Sequence, residues 1–261
     1  MGRVISIANQ KGGVGKTTTA INLGASLAIA ERRTLVLDCD PQGNATSGFG
    51  IRKDGSRLSV YECLIEGKSL KEAIQHEVHF PYLDVAPASR DLAGAEVELV
   101  DRQNRNRLLR RALEEVRGSY DYVLVDSPPS LGVLTLNSLA AADSVIIPIQ
   151  CEFYALEGLS QLLNTVRIVQ RNINQDLQIE GVLLTMYDSR LNLSKQVASE
   201  AREYFGRKVF DTMIPRNIRL AEAPSFGKPI AMYDVLSTGA RGYLSLANEL
   251  IERDEPERKV G

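Results

Sequence analysis

Lys11-Gly12-Gly13-Val14-Gly15-Lys16-Thr17-Thr18 decides the fold of this chain. Upstream, the apolar run Val4-Ile5-Ser6-Ile7-Ala8 reads as a strand, and downstream residues 17–30 carry the apolar period of a helix. Strand, glycine-rich turn and helix in that order bring a row of backbone N–H groups and a helix N-terminus to one point. Such a point is an anion site suited to the β-phosphate of a nucleotide. Gly12, Gly13 and Gly15 keep side chains out of that approach and permit φ > 0. Lys16 supplies a point charge to the β- and γ-phosphates, and the Thr17 hydroxyl is placed to ligate Mg²⁺. The first glycine of the common GxxxxGK pattern would fall at position 10, which is Gln10, while Lys11 adds a second lysine. A turn that binds nothing is the plain alternative, but chance produces this string in roughly a few chains per 10⁵.

Outward from the loop, short β-branched runs alternate with helical segments to the end of the chain. This predicts an α/β, P-loop NTPase-like fold: a mostly parallel twisted sheet with helices on both faces. Strands are expected at 4–8, 34–38, 83–86, 122–126, 144–149 and 181–186, and helices at 17–30, 104–116, 131–141, 156–170, 193–205 and 240–253. No repeat or Pro/Gly-rich linker interrupts the series, so residues 1–254 read as one domain and 255–261 as a solvated tail.

Composition narrows the function. The 261 residues are 44% hydrophobic and 25% charged, enough for a core without disulfides or metals. A net charge of -2 offers no global attraction to nucleic acid, so any DNA contact needs a local basic patch. Cys39, Cys63 and Cys151 are far apart and accompanied by two histidines, His76 and His79, which argues against a zinc site and for a reducing cytoplasm. No signal peptide or membrane span is expected, and the myristoylation-like match at Gly2 to Ser6 overlaps the first strand.

Two further strands end in carboxylates. Leu37-Asp38-Cys39-Asp40-Pro41-Gln42-Gly43-Asn44 puts two aspartates at the carboxyl edge of the sheet, beside the phosphate loop. Carboxylates repel triphosphate, so their work there is through Mg²⁺ or the attacking water, although a polar turn would also use these residues. Tyr122-Val123-Leu124-Val125-Asp126-Ser127-Pro128-Pro129 has the form of a Walker B strand whose Asp126 holds Mg²⁺ through water, with Ser130 the better cap for the helix that follows.

The loop KGGVGKTT resembles the deviant Walker A box of the ParA/MinD ATPases. That resemblance implies an ATP-dependent sandwich dimer in which Lys11 reaches the partner's nucleotide. The segment DCDPQGN resembles the family's switch I, which implies that Asp40 positions the hydrolytic water and that Asp38 organises the Mg²⁺ surroundings. Switch II differs mildly from the family at Ser127. Residues 183–194, 214–229 and 92–99 resemble blocks of the ParA/Soj chromosome-partitioning branch, so the likeness covers residues 3 to about 252. It implies an adenine pocket with Pro215, Asn217 and Met186, and non-specific DNA contacts through Arg190 and Arg219. The implied partners are a second copy, nucleoid DNA and a ParB-type centromere-binding protein, with no helix-turn-helix domain expected ahead of the loop.

Three readings compete. A MinD-like membrane-associated division ATPase needs a basic amphipathic C-terminal helix, whereas Glu249, Glu252, Asp254, Glu255 and Glu257 crowd this one. An iron-sulfur reductase needs two cluster cysteines per subunit, and none here sits in a matching segment. A biosynthetic ligase needs a small-substrate pocket for which no separate motif stands out. The arginine cluster Arg102, Arg105, Arg107, Arg110 and Arg111 reads as a solvated helix face rather than a DNA surface.

Overall fold

The computed structural model describes residues 2–53, 57–152 and 157–258. Six strands form one sheet in the order β3-β2-β4-β1-β5-β6: β1 Arg3–Ile7, β2 Thr34–Asp38, β3 Leu83–Ala86, β4 Tyr122–Asp126, β5 Ser144–Gln150 and β6 Gln178–Thr185. Every pairing is parallel, so the expectation of a mostly parallel sheet becomes an all-parallel one. Parallel strands demand crossovers that lie over the faces, which is why the central strands are apolar without alternation.

Side chains alternate across the sheet into two cores. Ile5, Ile7, Val36, Leu124 and Ile146 face helix α1 (Lys16–Ile29) and the C-terminal helix, while Val4, Leu35, Leu37, Val123, Val125 and Ile147 face the helices of the opposite layer. In α1, Gly24 lies so close to β2 that a Cβ would stand 2.4 Å from Val36 Cγ2. Glycine there lets the phosphate-loop helix settle onto the strand that carries Asp38 and leads to the short helix α2 (Asn44–Gly48).

Several helices depart from the sequence reading. Residues 104–116 do not form one helix, because the chain passes through a 3-10 turn and breaks at Arg107, at φ -121 and ψ 9, before α3 (Leu108–Glu114). The helix after β4, α4 (Val133–Ala141), is capped by Gly132 rather than Ser130, whose carbonyl instead accepts from Thr135 Oγ1 at 2.6 Å. Helix α5 spans Glu157–Asn172, the expected start at 156 lying outside the described residues, and α6 spans Asn192–Phe205. The C-terminal helix, α7 (Thr238–Arg258), continues past residue 254, where the sequence suggests a tail. Among the described residues, no helix is long and apolar enough to cross a membrane.

Candidate nucleotide site

The phosphate loop leaves β1 at the carboxyl edge of the sheet and enters α1 at Lys16. Gly13 and Gly15 take φ of 76 and 91, the left-handed region that makes glycine the residue of choice there. Open space surrounds the Cβ positions of Gly12 and Gly13, so the cradle can take a ligand. The two lysines behave differently. Lys16 is buried, and its ammonium folds back to donate to the Lys11 carbonyl at 3.1 Å. Burial lowers its pKa, opposed by the charges of Asp126 and Asp40. The Lys11 ammonium, by contrast, makes no hydrogen bond or ion pair among the described residues.

The three aspartates converge on the loop but are used differently. Asp38 Oδ2 accepts from Thr46 N at 2.7 Å and Thr46 Oγ1 at 2.6 Å, while Oδ1 accepts from Asp40 N at 3.2 Å. Burial pushes its carboxyl up to about 6 against those hydrogen bonds. Thr46 lies in the short helix Asn44–Gly48 and its hydroxyl also accepts from Ala88 N at 2.9 Å. Asp38, expected among the magnesium-organising groups, therefore has both oxygens engaged in holding the 40–46 loop. Asp126 is the opposite case: it is fully buried and neither oxygen has a partner of ordinary hydrogen-bond geometry. Burial, then the charges of Asp38 and Asp40, push its carboxyl well above the usual range, with the Thr17 hydroxyl and the Lys16 ammonium opposing. An orphaned carboxylate facing a threonine hydroxyl beside a buried lysine fits the donor set for a hard divalent cation. Asp40 Oδ1 accepts from Gln42 N at 2.9 Å, and its other oxygen has no hydrogen bond among the described residues.

Next to the loop opens a largely apolar pocket of about 330 Å³, whose lining includes Gly15, Thr18, Met186, Pro215, Asn217 and Tyr243. It brings together the three residues expected around a base with two residues of the phosphate loop's end, and its size suits an aromatic heterocycle. Met186 holds φ 51, unusual for a residue with a long side chain, at the point where β6 turns into the pocket wall. Asn217 lines the wall with its polar atoms already engaged: Oδ1 accepts from Arg219 N at 2.8 Å and Nδ2 donates to Thr238 Oγ1 at 2.7 Å. Asn217 thus lines the pocket while its amide serves as the cap of the helix Ile218–Glu222. Tyr243, fully buried on α7 with its hydroxyl 3.2 Å from Thr19 Oγ1, was not legible in the sequence, since nothing local marks a helical tyrosine as a pocket residue.

Arg190 and Arg219 are exposed and do not line this pocket. Arg190 makes a bidentate pair with Asp188 (2.9 and 2.7 Å), and Arg219 bonds Glu222 at 2.9 Å with Asp234 at 3.6 Å. The Arg190 guanidinium, first through its side-chain hydrogen bonds, holds Asp188 down to about 2. Solvated pairs of this kind exchange readily for other anions. In the arginine cluster, Arg102, Arg105 and Arg107 each donate to backbone carbonyls, of Leu64 and Ile65, Val100, and Ile173 respectively. These three arginines, like Arg110 and Arg111, are exposed, so the cluster faces solvent as expected while three of its members also tie loops together. A larger cavity of about 1420 Å³ at the amino edge of the sheet is lined by charges paired among themselves, such as Arg3 with Glu180 and Arg117 with Asp143.

An all-parallel sheet whose first strand feeds a two-lysine glycine loop, flanked by strand-ending carboxylates and a base-sized pocket, defines a P-loop nucleotide-binding protein. A family model described as an AAA domain matches residues 2–179. The chain is 58% identical over 98% of its length to chromosome partitioning protein ParA of Myxococcus xanthus, covering 90% of that protein. It is also 58% identical over 96% of its length to sporulation initiation inhibitor protein Soj of Bacillus subtilis, covering 98% of it. A solved structure described as cobyrinic acid a,c-diamide synthase from Mycobacterium smegmatis, with bound ATP analog and magnesium, superposes with a TM-score of 0.85 at 39% identity, covering 98% of this chain and 96% of that one. The chain belongs to the ParA/Soj family of chromosome-partitioning ATPases.

Proposed function

We propose that this chain is an ATP-driven DNA-partitioning switch, a single ATPase domain over residues 1–254 acting in the cytoplasm on the nucleoid. With nucleotide bound it pairs with a second copy and holds DNA without sequence preference, and hydrolysis stimulated by a ParB-type partner releases both. The observation that carries this reading is the asymmetry of the two lysines. Lys16 folds into its own loop, while the Lys11 ammonium has no partner among the described residues of its own chain.

When bound, ATP supplies the γ-phosphoryl group and Mg²⁺ neutralises the charge that develops on it. The backbone N–H groups of residues 12–18 and the Lys16 ammonium grip the phosphates. Thr17 and Asp126 would hold the metal, while Asp38 would act at one remove by fixing the 40–46 loop through Thr46. The open oxygen of Asp40 accepts a hydrogen bond from the attacking water. Met186, Pro215 and the aliphatic part of Asn217 enclose the adenine. Lys11 neutralises charge on the partner's phosphates as an arginine finger does. Arg190 and Arg219 leave their carboxylates for DNA phosphates, and two protomers double a patch too weak alone.

The test is retention on non-specific DNA with ATP against ADP, with anionic liposomes in parallel. Retention that needs ATP, with no liposome binding, is the expected result. Equal DNA retention in both nucleotide states, or ATP-dependent sedimentation with the liposomes instead, sinks the reading.

A further inference from the structure

Two buried side chains outside the phosphate loop hold it against the sheet from opposite ends. Asn9 bridges the loop's entrance to β5: its Nδ2 donates to the Pro148 carbonyl at 2.7 Å, and its Oδ1 accepts from the Lys11 amide at 3.0 Å. Thr185, the last residue of β6, donates from Oγ1 to the Val14 carbonyl at 2.8 Å, and its side chain stands 3.6 to 3.9 Å from where a Cβ of Gly15 would be. Asn9 is 5% exposed and Thr185 2%. The bonds to Pro148 and Val14 are therefore shielded from water and that from the Lys11 amide partly so, and removing either side chain leaves a loop group without its partner.

The two tethers act on different parts of the loop. A peptide is planar, so fixing the Val14 carbonyl fixes the Gly15 amide on its far side, one of the donors aimed at the phosphates. Glycine has no side chain to hold that peptide, and at φ 91 Gly15 lies in a broad region of allowed backbone, so the orientation has to be imposed from outside. Asn9, in turn, fixes the backbone from which the Lys11 side chain departs. The Lys11 carbonyl is held by Lys16 Nζ at 3.1 Å, so both faces of that residue are set while its ammonium stays open.

We infer that Thr185 and Asn9 are positioning residues with separable tasks: Thr185 sets the phosphate-binding amides and hence nucleotide affinity, and Asn9 aims Lys11 and hence turnover. The inference rests on the ATPase reading above and deepens it.

Thr185→Val removes the hydroxyl at nearly constant volume, and the Kd for ADP, measured by fluorescence of a labelled nucleotide, should rise about tenfold, the worth of one buried hydrogen bond. Thr185→Ser should restore it to within about twofold, the hydroxyl being kept. Thr185→Ala gives the same comparison should the valine variant not fold. An unchanged Kd, or a serine variant as weak as the valine one, overturns the role given to Thr185. For Asn9→Ala, the Lys11 amide in the nucleotide-free protein should exchange its proton faster. The fall in kcat, about tenfold, should vanish when Lys11 is already alanine, because groups acting as a unit are not additive. An unchanged exchange rate, or equal falls in kcat in both backgrounds, overturns the role given to Asn9. Failure of the underlying reading is distinct: Lys11→Ala alone would then leave kcat unchanged.

Discussion

Asp126→Asn should make the nucleotide-free protein more stable while removing its response to magnesium. The wild-type carboxylate is 0% exposed and has no hydrogen-bonding partner of ordinary geometry. Assayed at a pH above its raised folded pKa, the carboxylate is a buried charge only partly offset by the Thr17 hydroxyl and the Lys16 ammonium, a state that costs about 3–5 kcal/mol. An asparagine amide in the same place leaves unsatisfied polar atoms at about 1–3 kcal/mol, so the substitution should gain about 2 kcal/mol. For a domain of this size that corresponds to a rise of about 4–8 °C in Tm, measured by differential scanning fluorimetry in the presence of a chelator. In the wild type, adding Mg²⁺ to saturating ADP should raise Tm beyond the effect of ADP alone, since a ligand at a hundred times its Kd adds about 2.7 kcal/mol. That magnesium increment should be absent in the variant. A lower Tm without nucleotide, or a magnesium increment equal to that of the wild type, would refute the view that this carboxylate is stored unpaired for a metal.

Other perturbations follow from the same coordinates. Thr46→Val breaks its bonds to Asp38 and the Ala88 amide, and should lower Tm through a loss of about 2–3 kcal/mol; an unchanged melt would mean that neither bond matters. Gly24→Ala forces a methyl against Val36 Cγ2, 2.4 Å from the ideal Cβ, and should cost about 1–3 kcal/mol in chemical denaturation. Burial alone would raise the Glu249 pKa, but the Thr212 and Asp211 amides, the Thr212 hydroxyl and Arg253 together hold it below the ordinary value. Its stabilising contribution is thus complete above the unfolded pKa of about 4.3 and lost as pH falls through the lower folded value, so Glu249→Gln should melt earlier at pH 7 and converge with the wild type in acid. Arg190→Ala and Arg219→Ala should each flatten the slope of log affinity for DNA against log salt by about 0.9, equally on any sequence; an unchanged slope removes that residue from the DNA surface.

The strands and the loop were legible in advance because each rests on local signals: an apolar run, a glycine turn, a carboxylate at the edge. Other features depend on partners remote in the chain. Asp38 and Asp126 look alike in sequence, each closing an apolar strand, and what separates them is Thr46, brought under Asp38 by the helix Asn44–Gly48. The helix expected at 104–116 breaks at Arg107, whose φ of -121 and ψ of 9 leave no trace in the spacing of leucines. Ser130 has the chemistry of a cap, but its hydroxyl donates to Glu96 at 3.4 Å and the helix starts after Gly132. Arg102 and Arg107 face solvent as read, yet their guanidinium groups also reach the carbonyls of Leu64 and Ile173, contacts that composition cannot reveal.

The carboxyl end of β6 is joined to both ends of the nucleotide site. Thr185 bonds to Val14 of the loop, and the next two residues lead into the base pocket, where Tyr187 N donates to the Ile214 carbonyl at 3.0 Å and Ile214 N donates to Leu184 O at 2.9 Å. Strand and pocket wall are thereby joined by hydrogen bonds, and the span from phosphate cradle to pocket is set by the end of β6. The edge of the sheet acts as a calliper: on the nucleotide reading proposed above, a ligand too short to touch both jaws, such as inorganic triphosphate or free adenine, would engage only one end of the gauge.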